Sequence, residues 1–405
     1  MILQFSCSNH KSIKDKILFS MLVSSDSTSK NSLITYNTLK ILRSAVIYGA
    51  NGSGKSNFIN AISYMKKLVS NSIKYQPGEK VYQQPHKLSN PDSPSEYNMQ
   101  FIKNGLRYAY GFSLLNGNIE TEYLYSFPNG NETKIFERSG KNIIYGNDYD
   151  PKLFITSISS LKDNRLFLSC AANFSNVKEI ETAFLFFKED ITIYDPSNNW
   201  LEYSARLMQD DPIIKQKFID ILNILGVGLK DVKIKIDNLF KDNDINDAFL
   251  NKFRDFLTNR PDIEIKVVYE QFQTDLMQEE SAGIKNLFKM ICPIIEMLQH
   301  DRILICDEFE SNLHESIVYE IVKLFYTAHK DKNAQLIFST HDTSLLNENL
   351  FRHDQIWFTQ LNSQRATELY SLAEIRNVKK GENLKKGYIM GKYGAIPAII
   401  DTPHA

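Results

Sequence analysis

The most distinctive chemical motif in the sequence is a glycine-rich stretch, GANGSGKS, at residues 49–56. Its pattern of Gly, four residues and Gly-Lys-Ser predicts a loop that binds the phosphates of a nucleotide. Lys55 would offer a positive charge to the β and γ phosphates, and Ser56 would offer a hydroxyl to Mg²⁺. The alternative is a chance match, which the apolar run before the loop and the helical pattern after it disfavour. The residues predicted to bind nucleotide are Asn51, Gly52, Ser53, Gly54, Lys55, Ser56 and Asn57.

A second motif, ILICDEFE at residues 303–310, places two adjacent acids after four apolar residues. This pattern is typical of a buried strand that ends at the rim of a parallel sheet. Asp307 would hold Mg²⁺, directly or through water, and Glu308 would orient or deprotonate the attacking water. The alternative is a solvated acidic turn without chemistry. The phosphate loop upstream favours the catalytic interpretation.

A third motif, IFSTHD at residues 337–342, is an apolar strand that ends in polar residues. His341 lies 34 residues after Asp307, on the next predicted strand, and could therefore reach the same phosphates. We predict that His341 senses the γ-phosphate, with an ordinary structural histidine as the alternative.

A fourth motif, QEESAGIKNLF at residues 278–288, enters a predicted helix. Ser281 and the backbone of Gly283 could bind phosphate at the helix N-terminus. An ordinary helix cap formed by Ser281 is the alternative that the residues leave open.

Composition limits the classes of protein to consider. The chain has 405 residues, a hydrophobic fraction of 42% and a net charge of −1, which argue against disorder and against a whole-molecule attraction to nucleic acid. The four cysteines form no Cys-x-x-Cys pair and are predicted to be reduced and buried. The sequence shows no secretory signal and no long apolar segment, so we expect a cytoplasmic protein without membrane contact.

The hydrophobic pattern predicts an α/β protein in three parts. Residues 1–9 and 44–48 are predicted strands, Lys55 begins a helix, and four strands with Asn-Gly turns between Tyr97 and Phe136 form an antiparallel meander. The predicted parts are a discontinuous nucleotide core at 1–74 and 276–405, an antiparallel β lobe at 75–150, and a mainly helical docking lobe at 151–275.

The order of these motifs resembles the ABC-type ATPases, in particular the RecF, SMC and Rad50 branch. The resemblance implies a RecA-like core with an antiparallel β lobe and a helical insertion. It also implies that the chain forms a homodimer or a higher oligomer that closes on ATP and Mg²⁺. Ser281, Gly283 and Lys285 would then form a signature loop that acts on the ATP of a second copy. SNLHE (311–315) stands at the D-loop position, and Gln83, Gln84 and Gln100 are candidates for the Q-loop.

Four further blocks, at 85–102, 352–360, 367–376 and 386–399, look like the bacterial AAA15-type ATPases. These include the RloA and AbiL abortive-infection proteins and the ATPase of the PARIS defence pair. The resemblance implies anti-phage defence, with a separately encoded effector nuclease, RloB-like or of the TOPRIM type, and a phage protein as trigger. A RecF-like ATPase that clamps duplex DNA is the main alternative, which leaves direct contact with DNA or RNA open. A nucleotide-binding subunit of a transporter is a third possible function.

The C-terminal region combines cations with aromatic residues and glycines. Residues 376–392 hold six basic residues and one acid, Glu382, so they could bind a phosphate backbone or an acidic partner, or could simply be solvated. Tyr388, Tyr393, Gly391 and Gly394 predict a fixed turn rather than a loose end.

Overall fold

The computed structural model describes residues 1–24, 33–195, 200–237, 262–311, 313–327, 332–379 and 381–397. The strands of these residues are β1 (Ile2–Ser8), β2 (Ile17–Ser20), β3 (Leu33–Tyr36), β4 (Leu39–Leu42), β5 (Ser44–Gly49), β6 (Ser95–Lys103), β7 (Leu106–Leu115), β8 (Asn118–Ser126), β9 (Thr133–Ser139), β10 (Asn142–Tyr145), β11 (Ile191–Tyr194), β12 (Asp231–Asp237), β13 (Asp262–Val268), β14 (Gln273–Asp275), β15 (Ile303–Cys306), β16 (Gln335–Ser339), β17 (Ile356–Leu361) and β18 (Thr367–Ser371). The α-helices are α1 (Lys55–Asn71), α2 (Ile155–Ser160), α3 (Phe167–Phe174), α4 (Lys178–Leu185), α5 (Trp200–Asp210), α6 (Pro212–Ile224), α7 (Ala282–Gln299), α8 (Glu315–Thr327) and α9 (Leu384–Ile389). Short 3₁₀ helices lie at Ser72–Lys74, Pro128–Gly130, Pro151–Phe154, Thr343–Leu345, His353–Gln355 and Leu372–Glu374, and a π-helix lies at Phe186–Asp190.

Contacts divide the chain into two units. The first comprises Met1–Asp195, Leu298–Ser311 and Ile321–Ala405, and the second comprises Pro196–Met297 and Asn312–Glu320. The three-part division predicted from the sequence stays a proposal.

The first unit contains an antiparallel sheet of order β10-β9-β8-β7-β6-β1-β2. The predicted meander is confirmed. Asn104 and Gly105 join β6 to β7 with φ angles of 51° and 71°, and Asn116 and Gly117 join β7 to β8 with 52° and 80°. Positive φ at both central residues matches the right-handed twist of the strands, which is why Asn-Gly closes these hairpins.

Strand β1 belongs to this antiparallel sheet, although the sequence predicts residues 1–74 as part of the nucleotide core. Phe5 pairs with Met99 of β6 on one side and with Phe19 of β2 on the other. A pairing between strands this far apart in sequence leaves no local pattern, so periodicity alone could not place β1. Its side chains Leu3, Phe5 and Cys7 are all fully buried.

The first unit also contains the parallel sheet that holds the chemical motifs. Its order is β11-β15-β16-β5-β17-β18, and only the last pair is antiparallel. Cys306 of β15 pairs with Phe338 of β16, and Ser339 pairs with Ile47 of β5. The carboxyl ends of the three motif-bearing strands therefore meet at one edge. The predicted α/β class, with a parallel core and an antiparallel β lobe, is confirmed.

The second unit contains α5, α6, most of α7 and the antiparallel sheet β12-β13-β14. Asp211 caps α6, since its carboxylate accepts hydrogen bonds from the backbone N–H groups of Ile213 and Ile214. Strand β13 ends at Val268, and the chain turns directly after it. The Tyr269 N–H donates to the Phe272 carbonyl at 2.9 Å, and their rings stack 4.8 Å apart.

The C-terminal segment is fixed to the parallel sheet, as predicted. The Tyr388 ring stacks on Phe358 of β17 with centroids 5.6 Å apart and lies 5.8 Å from the Tyr48 ring. Tyr370 donates to the carbonyl of Tyr393 at 2.8 Å. Of the basic residues in this segment, Lys392 pairs with Glu382 at 2.5 Å. Lys380 lies outside the described residues.

The structure also bears on the state of the cysteines and on membrane-spanning helices. The four cysteines are free and buried, as predicted. Within the described part of the chain, no helix combines the length and the apolar character that crossing a bilayer requires.

Candidate functional site

The glycine-rich loop joins β5 to α1, as the sequence predicts. The buried Lys55 side chain folds back over the loop, and its Nζ donates to the carbonyls of Gly49 at 2.8 Å and Ala50 at 3.2 Å. The hydroxyl-bearing Ser56, next in the chain, is exposed. The loop thus shields its cation while leaving a hydroxyl and the N-terminus of α1 open to a ligand.

Two threonines of the following strands brace the loop, and sequence reasoning missed both. Thr359 of β17 exchanges a hydrogen bond with the Ser53 hydroxyl at 2.6 Å. Thr367 of β18 donates to the Ser53 carbonyl at 3.0 Å. Thr359 follows three apolar residues of β17, which is a weak sequence signal, whereas Thr367 begins β18 beside Glu368 and has no such signal.

Close packing explains two of the loop glycines. A Cβ on Gly54 would lie 2.1 Å from Thr367 Oγ1, and its φ of 110° is a left-handed value that strains any other residue. A Cβ on Gly49 would lie 2.4 Å from Thr359 Oγ1. Gly52 also has a left-handed φ, of 76°, but a Cβ there would meet nothing within 4 Å.

The turn between β1 and β2 is attached to the same loop. The Ser12 hydroxyl exchanges a hydrogen bond with Thr367 Oγ1 at 2.7 Å and accepts one from Asn57 Nδ2 at 2.6 Å. The neighbouring His10 contacts Asn60 of α1 at 3.1 Å, and burial lowers the His10 pKa to about 4, which keeps its imidazole neutral. The predicted nucleotide residue Asn57 therefore connects α1 to this turn.

A cavity of about 1130 Å³ adjoins the turn. Lys11, Lys87 and Arg365 contribute cations to its lining, and none of the described residues that line it is an Asp or a Glu. Gln84, one of the three Q-loop candidates, also lines it, and its carbonyl accepts the Lys11 N–H at 2.7 Å.

The acidic turn, residues 307–311, follows β15 directly. Because Cys306 pairs with Phe338, the next residues along the two strands, Asp307 and Ser339, lie opposite each other. The Ser339 hydroxyl donates to Asp307 Oδ1 and accepts the backbone N–H of Glu308 at 2.9 Å. Glu308 has a left-handed φ of 49°, which is uncommon for a residue other than Gly, Asn or Asp. Its carboxylate is exposed.

His341 lies next to this turn, as predicted. Its backbone N–H donates to Glu310 Oε1 at 2.6 Å, and its imidazole is exposed without a hydrogen bond to another described residue. The preceding Thr340 continues the β5 ladder, since its N–H donates to the Ile47 carbonyl at 3.1 Å. The sheet therefore fixes the backbone on the N-terminal side of the histidine.

Electrostatics connect Lys55 to the acidic turn. Burial lowers the pKa of the Lys55 ammonium from its usual value. The carboxylates of Asp307, Glu308 and Glu310 oppose this shift and favour the charged amine. The structure thus brings together one shielded cation and three carboxylates at the edge where β5, β15 and β16 end.

The donor set fits Mg²⁺. The Ser56 hydroxyl is exposed, and Asp307 Oδ2 has no hydrogen-bond partner among the described residues. Magnesium prefers a few hard oxygen ligands of this kind and completes its shell with water and phosphate. Among the described residues, no group of three or more His, Cys, Asp or Glu side chains could hold a different metal.

The predicted signature residues belong to the second unit. Ser281 caps α7, since its Oγ accepts the Ile284 N–H at 3.3 Å, so the helix-cap alternative describes its local contact. Its side chain is exposed, whereas Gly283 and Lys285 are half-buried. Their predicted role toward ATP of a second copy stays a proposal.

Two other predicted positions have ordinary structural contacts. Gln83 donates to the Ser95 hydroxyl at 2.9 Å and to the Leu114 carbonyl at 3.1 Å, and Gln100 accepts from Arg107 at 2.7 Å. Of the predicted D-loop, Asn312 lies outside the described residues.

A family model matches residues 44–347 of the chain, with the description "AAA domain, putative AbiEii toxin, Type IV TA system". The chain belongs to this family. The AAA-domain match contains every predicted site residue from Asn51 to His341. It ends before Thr359 and Thr367, the two threonines that brace the phosphate loop.

This chain is also similar to solved structures of SMC head domains. The SMC head bound to the C-winged helix domain of ScpA has a TM-score of 0.47 and 14% identity, and the match covers 91% of this chain and 97% of that chain. The SMC head domain from Thermotoga maritima has a TM-score of 0.43 and 14% identity, with 91% and 98% covered. A third match is the Smc head domain with an extended coiled coil bound to the C-terminal domain of ScpA, derived from Pyrococcus furiosus. It has a TM-score of 0.42 and 13% identity, and the match covers 91% of this chain and 96% of that chain. No curated protein matches the chain.

Proposed function

We propose that this protein binds and hydrolyses ATP with Mg²⁺. One observation carries the proposal. The strand order brings the buried Lys55 and the acidic turn to the same edge of the parallel sheet, where the carboxylates of the turn favour the charged form of Lys55. A phosphoryl-transfer site needs a cation at the phosphates, an oxygen ligand set for Mg²⁺ and a group that orients water. Lys55, Ser56 with Asp307, and Glu308 supply these three functions.

Mg²⁺ would supply charge neutralisation at the β and γ phosphates when bound. The chain's own contribution is positional. Ser339 fixes Asp307 and the backbone of Glu308, so the exposed Glu308 carboxylate can accept a proton from water. His341, held at the end of β16, would donate a hydrogen bond to the terminal phosphate.

The ATP cycle would control association of two or more copies. The residues described at this edge would lie on one side of a bound nucleotide, and the other face of the γ-phosphate would need hydrogen-bond donors and exclusion of water. Ser281, Gly283 and Lys285 of a second copy would supply them. A two-fold pair would contain two such composite sites.

The biological role we propose is anti-phage defence in the cytoplasm. The family description, which includes a putative toxin and a toxin–antitoxin system, supports it. The chain would act as sensor and regulatory scaffold for a separately encoded effector nuclease, RloB-like or of the TOPRIM type, in the manner of RloA, AbiL and the PARIS ATPase. Phage protein would be the trigger.

ATP turnover tests the enzymatic proposal. Lys55→Ala should lose ATP binding, and Glu308→Gln should keep binding but lose at least about 100-fold in turnover. Lys141→Ala and Glu132→Gln change the same residue types at exposed positions of the β lobe and should behave as the native protein. Native turnover in Glu308→Gln would refute the assignment of the catalytic residue.

Association with an effector tests the biological proposal. Purification with and without ATP, followed by identification of the bound protein, should recover a nuclease encoded beside this gene. Duplex DNA binding by the isolated protein, with a steep dependence on salt, would instead favour the RecF-like clamp.

A further inference from the structure

Glu310 is the third carboxylate of the acidic turn, and the proposed mechanism gives it no role. Its Oε1 accepts the backbone N–H of His341 at 2.6 Å. Its Oε2 is buried and has no hydrogen-bond partner among the described residues. A buried carboxylate oxygen without a partner costs free energy and requires an explanation.

Backbone hydrogen bonds on both sides of Glu310 fix its position in the acidic turn. The Phe309 N–H before it donates to the Ser339 carbonyl at 3.1 Å, and the Ser311 N–H after it donates to the Glu308 carbonyl at 3.0 Å. The backbone on both sides is therefore held to β16 or within the turn itself. The Glu310 charge also favours the charged form of Lys55.

The histidine needs such a contact. His341 lies two residues beyond the end of β16, and its exposed imidazole has no hydrogen bond to another described residue. The hydrogen bond that the His341 N–H donates to Glu310 is thus the described side-chain contact that orients its backbone. Charge-assisted hydrogen bonds of this kind are about twice as strong as neutral ones.

We infer that Glu310 is a positioning residue that holds His341 toward the terminal phosphate of ATP. This inference rests on the proposed function, because it assumes that His341 acts on ATP. Glu310 does not itself touch the substrate. It links the turn that carries Asp307 and Glu308 to the residue that senses the phosphate, so movement of either would be transmitted to the other.

A pair of variants of similar volume separates the hydrogen bond from simple packing. Glu310→Gln retains an acceptor for the His341 N–H, whereas Glu310→Met removes it. We expect Glu310→Met to lower kcat by at least about tenfold with an unchanged KM for ATP, and Glu310→Gln to stay within about threefold of native. Glu310→Ala provides a second variant without an acceptor should the methionine prevent folding, and urea unfolding establishes that each variant is folded.

A double-mutant cycle identifies the residue through which Glu310 acts. If Glu310 acts through His341, adding Glu310→Met to His341→Ala should change kcat by less than about twofold. Independent, multiplicative losses in the double variant would overturn the inference, and so would a Glu310→Gln as impaired as Glu310→Met.

The experiments distinguish a failure of the proposed function from a failure of the inference about Glu310. Native turnover in His341→Ala would refute the role of His341 in hydrolysis itself. An impaired His341→Ala together with a native Glu310→Met would leave that role intact and refute only the inference about Glu310.

Discussion

Gly54→Ala should damage the phosphate loop far more than Gly52→Ala, although both residues are loop glycines with positive φ. The new Cβ of Gly54→Ala would lie 2.1 Å from Oγ1, 2.7 Å from Cγ2 and 2.9 Å from Cβ of Thr367. Thr367 is a short side chain on a strand and has no flexible end that could move aside. Its Oγ1 also holds the Ser53 carbonyl and the Ser12 hydroxyl, so displacing it disrupts two hydrogen bonds.

The expected cost follows from these contacts. Left-handed backbone in a non-glycine residue costs about 1–3 kcal/mol, and each lost hydrogen bond costs about 0.5–1.5 kcal/mol. Gly54→Ala should therefore cost about 2–6 kcal/mol in total. Gly52→Ala, whose Cβ meets nothing within 4 Å, should cost only the backbone term of about 1–3 kcal/mol.

Two measurements together capture this free energy. The loop can either keep its shape, which lowers the free energy of unfolding in urea, or relax, which weakens ATP binding in calorimetry. The sum of the two losses is the quantity to compare, and it should be greater for Gly54→Ala by about 1 kcal/mol or more. Adding Thr367→Ala should recover part of the loss, because it removes the two nearest atoms. Equal losses in Gly54→Ala and Gly52→Ala would refute the packing explanation.

Three further predictions concern other parts of the site. Ser339→Ala, which removes the hydroxyl shared by Asp307 and the Glu308 backbone, should lower ATP turnover by about ten- to a hundredfold while ATP binding persists; unchanged turnover would contradict this role. Ser281→Arg should block ATP-driven association seen by light scattering but leave ATP binding intact, with the exposed Gln209→Arg as control; normal association of Ser281→Arg would remove the signature-loop assignment. The neutral, buried His10 should destabilise the fold as pH falls from 6.5 toward its pKa of about 4, by up to about 3 kcal/mol. His10→Gln should therefore lose less free energy of unfolding over that range, and identical pH profiles would contradict the burial argument.

The strands and helices nearest the motifs were predictable because their signals are local. The apolar run of β5, the glycine-rich loop and the helical spacing of α1 lie in one continuous stretch. Likewise, Asn104-Gly105 and Asn116-Gly117 determine their hairpins through their own backbone preferences. Local patterns of this kind need no knowledge of the distant chain.

The supports of the site were not predictable because they depend on distant pairing. Thr367 reaches Ser53 across more than 300 residues, and only the register of β17 and β18 brings it there. Glu310 is two residues from Glu308 in the sequence, but its contact with His341 depends on the pairing of β15 with β16. The position of β1 was not predictable either, because it depends on pairing with the distant strand β6. A single sequence identifies the groups with chemistry but not the groups that hold them.

The central claim is that ATP is held between two copies of this chain. A structure of Glu308→Gln with ATP and Mg²⁺ tests it most directly, because that variant should retain the bound triphosphate. We predict that Lys55 of one copy and residues 281–285 of the other contact the same γ-phosphate, with donor–acceptor distances of about 3 Å. A structure in which residues 281–285 lie far from every bound phosphate, in the same or a neighbouring copy, would contradict the account.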